Sequence, residues 1–191
     1  HELSFILINT NDYNNLKNIF NKCNLNIKKT LIKSFIEGAS TSDHNKNIDT
    51  FFHIQINDES SKIFYFENDT LKFEQSFKFG NKIVIQDISK ITSLKKEIIE
   101  KIWYEQDLNE KISDEEFVEA EFFGEENYKK IKKKLIYQIA FSRIKEISEL
   151  MLFKNINLKH YNNLSKVVFF KLNSKLQLKS LGKMYKTIFS M

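Results

Sequence analysis

Arg143 is the one arginine among thirty Lys and Arg side chains in this 191-residue sequence, and its neighbourhood is unusual for a cation. On a helix it shares a stripe with Ile139 and Ile147, four positions to either side. Ile136 and Leu150, seven positions away, continue that stripe. A cation set in an apolar stripe snorkels to the edge, is paired, or awaits a partner. An ion pair with Glu146, three residues on, is the simplest reading and would contribute only a few tenths of a kcal/mol if exposed. Elsewhere the chemistry-bearing residues are sparse. His1, His44, His53 and His160 are too scattered for a metal site. The single Cys23 excludes an internal disulfide and fits a reducing compartment. Asn57–Ser61 (NDESS) is a polar break whose residue types make a tight turn.

That break sits inside the stretch around which the chain is organised, residues 51–80. Two aromatic and β-branched runs, 51–56 and 63–66, precede an alternating run in which Leu71, Phe73, Gln75, Phe77 and Phe79 share one face. The breaks at 57–61 and 67–69 predict a three-stranded antiparallel meander, which must be covered by helices. Phe52, Ile54, Ile56, Ile63, Tyr65, Phe73, Phe77, Val168 and Phe170 are the expected sheet and core residues.

Upstream, residues 3–8 predict a short strand. A helix capped by Asn11 or Asp12 follows, and 27–35 predicts another strand. Residues 36–50 are small and polar and predict a connector. Downstream, 81–91 predicts a buried helix, and another starts at Ser93 and runs through Ile98, Ile102 and Trp103. The acidic region 105–127 contains a capping-box match, Ser113 to Glu116, and its 117–127 portion fits either helix or hairpin. A long helix over 128–154, a strand over 166–172 and an amphipathic helix over 177–189 complete the order.

The net charge of +5 argues little for nucleic acid, because a chain with one arginine has almost none of the side chain that such binders usually use for bidentate phosphate and base contacts. A Lys- and Asn-rich composition without proline fits A+T-rich codons and solvated lysine faces. No apolar run is long enough to span a bilayer and no signal peptide is visible, so the expected location is the cytoplasm.

Four stretches together resemble one family. Residues 3–40 (LSFILINTNDYNNLKNIFNKCNLNIKKTLIKSFIEGAS) resemble its strand, helix and strand leading into a helix of Glu-Ala or Ala-Ser type. Residues 51–91 resemble its strand, glycine-rich turn, meander and helix. Residues 139–147 (IAFSRIKEI) and 167–178 (VVFFKLNSKLQL) resemble its long-helix motif and its later strand and loop. In order and spacing the chain is similar to the actin-like bacterial cell-division protein FtsA.

The resemblance implies an α/β, actin-like (RNase H-like) subdomain with a three-stranded antiparallel meander and an inserted helical lobe, preceded by part of a second subdomain. Residues 1–40 would be the end of subdomain IC and the return into IA. Residues 51–92 and 155–191 would be IIA, and 93–154 the IIB lobe with the long helix. Alternatively, 128–190 would join the sheet and leave 93–127 as the lobe. The family's first phosphate loop and its membrane-binding C-terminal amphipathic helix would lie outside this chain.

The family's nucleotide site maps onto Asn57, Asp58, Ser60, Ser61, Asn173 and Ser174. Gln55 takes an acidic position there, and Asn57, Asp58 and Glu59 replace three glycines whose bare N–H groups approach phosphate. Asn173, Ser174 and Lys175 replace the glycines that lie against adenosine. The family binds ATP with Mg²⁺. With two carboxylates facing the anion, this chain is expected to have no cofactor and no enzymatic activity. The implied role is an adaptor that anchors the FtsZ ring to the membrane and recruits later division proteins. It would self-associate and lie peripherally on the inner face of the cell membrane. The alternatives are an active actin- or Hsp70-like ATPase and a pilus-assembly actin-like protein. The FtsZ C-terminal tail, which bears carboxylates, would bind at Arg143, Glu146, Lys132, Ile139 and Ile147, and Arg143→Glu is expected to weaken it at least tenfold with the fold intact.

Overall fold

The computed structural model describes residues 7–45, 47–161, 164–173 and 179–190. The expected strand at 3–8 and the loop residues Ser174 and Lys175 therefore lie largely or wholly outside the described residues. The meander forms where alternation and turn residues place it: β1 (Phe51–Asn57), β2 (Ser61–Glu67) and β3 (Thr70–Phe77). Asn68 and Asp69 take positive φ of 50° and 59°, the two-residue turn whose twist matches a tight hairpin. A fourth strand, β4 (Val168–Asn173), adds parallel to β1, giving the order β3-β2-β1-β4. A parallel neighbour needs a crossover. Helices α3 (Lys82–Thr92), α4 (Lys96–Glu105) and α5 (Lys133–Ser148) supply it, and α6 (Lys179–Phe189) follows β4.

One face of the sheet carries the main core. Phe52, Ile54, Ile56, Ile63 and Tyr65 are buried there against Val84, Ile88, Ile144, Leu181 and Tyr185, with Phe73, Phe77, Val168 and Phe170 packed on the edge of the same cluster. The cluster continues without a break into Ile98, Ile102, Trp103, Val118 and Phe122.

The alternation expected in β3 fails at one residue. Tyr65 pairs with Phe73 and Phe66 with Leu71, so Lys72 is skipped as a bulge. Leu71 is thereby turned to the opposite face, where it packs with Phe51, Phe64 and Phe66. A helix covers this second face, and it corrects two expectations. Residues 25–32 form no strand, and the expected connector contains α2 (Lys33–His44). Its small residues serve close packing: Gly38 lies against the Phe66 ring, where any side chain would collide. Before it, α1 (Thr10–Lys22) is capped by the Asn9 side chain rather than Asn11 or Asp12, and buries none of its residues.

Two other differences are local. Ser93 adopts a left-handed conformation that ends α3, and α4 starts at Lys96. The capping-box bonds at Ser113 form, with Glu116 accepting from the Ser113 N–H at 2.8 Å. No helix follows them: 117–127 holds a single bridge from Phe117 to Lys132 and a short 3-10 turn, Ala120–Phe123.

Candidate functional site

Because β1 is buried on both faces, its odd residues form a second stripe: Phe51, His53, Gln55 and Asn57. This stripe grades from aromatic to polar toward the β1–β2 turn. Over its polar end lies a cleft of about 280 Å³ lined by Ser34 and Glu37 of α2, Gln55 and Asn57 of β1, and Lys62 and Lys171 of the neighbouring strands. Asn173 and Glu74 also reach it. Lys62 and Glu74 pair at 3.2 Å, and the Gln55 amide donates to Glu37 Oε2 at 2.5 Å. The Ser34 hydroxyl is buried and has no hydrogen-bond partner among the described residues.

At the end of the cleft, three of the expected nucleotide residues, Asn57, Ser60 and Asn173, come together. The Asn57 N–H donates to Ser60 O at 2.9 Å and its amide to Ser60 Oγ at 3.2 Å, closing the turn on itself. Asn173 donates to Asn57 Oδ1 at 3.2 Å, so the two loops meet. Ser61 turns away and donates to Phe79 O at 2.8 Å. Ser174 lies outside the described residues.

The decisive contact lies behind the turn. A helix start leaves backbone N–H groups without intrahelical partners, and these favour anions. In this protein the N–H groups of Asn81 and Lys82, where α3 begins, donate to the carbonyls of Asn57 and Asp58, each at 2.9 Å. Gly80 makes that approach possible, since a Cβ there would stand 2.1 Å from Asn57 O. The Lys82 ammonium pairs with Glu59 at 2.7 Å, and the hydrogen bond it donates to Glu59 raises the Lys82 pKa. The helix start is thus spent on the turn's own oxygens.

Of the residues expected to receive a partner, Arg143 and Glu146 are bonded to one another. Arg143 donates to Asp87 on α3 and, at 2.6 Å, to Glu146, so it ties α5 to α3. Ile147 is buried in the main core and Ile139 packs on its edge. Lys132 precedes α5, eleven positions from Arg143, or about 16 Å along a helix.

The sequence pattern assigned no role to Glu37 or Lys171, and none to His53 beyond excluding a metal site. The period-two stripe on β1 was the available signal, since a strand with apolar even residues and aromatic-to-polar odd residues has two faces to cover.

No protein-family model matches the sequence, and no curated protein matches it. Solved structures do. MreB5 of Spiroplasma citri bound to AMPPNP aligns with a TM-score of 0.50 and 15% identity, over 95% of this chain and 65% of that one. The same protein bound to ADP gives 0.50 and 14%, over 95% and 67%. The chain has an actin-like fold. The ethanolamine utilization protein EutJ from Carboxydothermus hydrogenoformans aligns at 0.46 and 10% identity, over 80% of this chain and 46% of that one. The actin-like chain thus spans from about half to two thirds of the length of these structures. Among its described residues no helix is long and apolar enough to cross a membrane.

Proposed function

We propose that this chain belongs to an actin-like protein whose nucleotide turn has become a structural joint, and which works as an adaptor in the manner of FtsA. The observation that carries this reading is the use of the α3 N-terminal N–H groups by the Asn57 and Asp58 carbonyls. A phosphate at the turn would have to displace those bonds while facing the Asp58 and Glu59 carboxylates. The whole protein would then bind the FtsZ C-terminal tail, self-associate, and reach the membrane through a helix outside this sequence, without ATP or Mg²⁺. The division role itself rests on the sequence resemblance. A pull-down of the full-length protein with a peptide of the FtsZ tail tests it: saturable capture supports the adaptor, and no capture removes the division role.

The second reading is a nucleotide-dependent filament protein. It is favoured by the fold shared with MreB5, whose structures hold AMPPNP and ADP. Nucleotide binding by the full-length protein separates the two.

A further inference from the structure

His53 is buried on the second face of the sheet, beneath α2. Its neighbours define its proton. Thr41 Oγ1 donates to Glu37 O at 2.9 Å, so toward His53 Nδ1, 3.2 Å away, that oxygen can only accept. Nδ1 therefore carries the hydrogen, and Nε2 presents its lone pair to the Gln55 amide nitrogen at 3.5 Å. The same amide nitrogen donates its other hydrogen to Glu37 Oε2 at 2.5 Å. The chain of bonds runs Glu37, Gln55, His53, Thr41 and back to the Glu37 backbone, with every donor facing an acceptor.

We propose that Glu37, Gln55 and His53 form a proton-sensitive latch that holds the N-terminal half of α2 on the sheet and closes the cleft beneath it. A proton added at Nε2 places an N–H against the N–H of Gln55. The Gln55 amide relieves the conflict by rotating half a turn, which presents its oxygen to His53 and withdraws its N–H from Glu37. The Gln55 oxygen then faces the Glu37 carboxylate, and the two acceptors repel. Further along α2, Gly38 on Phe66 is an apolar contact that no proton alters, so it becomes the pivot.

The charged groups facing His53 oppose one another: Glu37 from α2 favours the proton and Lys171 from β4 disfavours it. From β1 and β2 the neighbours, Gln55 and Phe64, are uncharged. His44, on the same helix, sits at the surface against Ser40 O. Burial, the largest influence, lowers the His53 pKa below its ordinary 6.5. Because the folded pKa is depressed for a base, the latch is fully closed at neutral pH. It is lost as pH falls through and below the ordinary imidazole range. This device does not depend on which partner the protein serves.

Backbone amide exchange in the intact protein, corrected for intrinsic chemistry, tests the latch between about pH 7.5 and about pH 5. The opening constant read at the helix-bonded amides of residues 36–38 is expected to rise by up to about tenfold per pH unit, the slope for uptake of one proton, while residues 51–57 stay constant. His53→Gln should abolish the difference and His44→Gln should keep it. An equal response in both segments, or its persistence in His53→Gln, overturns the latch. Should His53→Gln fail to fold, an NMR titration of the wild-type ring decides: α2 amide shifts must follow the His53 midpoint, and a His53 titration that leaves them unmoved is the contrary result.

Discussion

Gly38 lies so close to the Phe66 ring that a Cβ on it would stand 2.0 Å from Cζ and 2.2 Å from Cε1. No L side chain fits that space unless the ring moves, and the ring is itself stacked on Phe51 at 5.0 Å. Gly38→Ala should therefore destabilise the protein by about 1–3 kcal/mol despite the better helix propensity of alanine. Urea unfolding measures it. Pairing the change with Phe66→Leu should recover part of the loss, whereas a stabilised Gly38→Ala would mean that α2 does not pack on the sheet.

Arg143 gives a second prediction, and it reverses an expectation drawn from sequence. Charge reversal at an exposed helix position costs little. Arg143, however, is about one third exposed and bonds both Asp87 and Glu146. In Arg143→Glu, three carboxylates would meet between α3 and α5, and a loss of about 1–3 kcal/mol is expected. The double change Arg143→Glu with Asp87→Arg should restore much of it. Equal stability of Arg143→Glu and wild type would show that the α3–α5 pair contributes nothing.

Tyr185 sets the behaviour in alkali. It is fully buried, and its hydroxyl donates to Asn81 Oδ1 at 3.2 Å. Burial pushes its pKa well above the ordinary tyrosine value. Above about pH 10 the unfolded chain releases this proton and the folded one keeps it, so stability must fall as pH rises. Tyr65 and Tyr137 are raised in the same direction by burial, so the slope is shared. Tyr185→Phe should flatten the stability profile between about pH 9 and about pH 11 while lowering its plateau by the lost hydrogen bond. An unchanged slope would assign the alkaline loss to other groups.

What was legible in the sequence follows from how local each signal is. The meander was legible because alternation and the Asn68–Asp69 turn act within a few residues. The helix α2 was legible only through the family resemblance and not from local pattern, since its glycine and serines are poor helix formers, and it is held by contacts to Phe66, Asp69 and Gln55 that lie 18 or more residues away. The Lys72 bulge leaves no composition mark, which is why Leu71 was assigned to the wrong face. Of the candidate site, Asn57 and Asn173 were legible as neighbours only through a family resemblance, because they are 116 residues apart and meet through the parallel pairing of β1 and β4. Asp87, the partner that occupies Arg143, is 56 residues away and no periodicity points to it.

A β1–β2 turn bonded to the start of α3, as proposed, should take no nucleotide. Calorimetric titration of Mg²⁺-ATP into the longest natural polypeptide carrying this sequence tests it most directly, with a companion variant bearing glycine at Asn57, Asp58 and Glu59. The expected result is no saturable binding by the wild type tighter than about 1 mM, and tighter binding only in the glycine variant. Wild-type binding with Kd in the micromolar range, weakened by mutation of the turn, would contradict it.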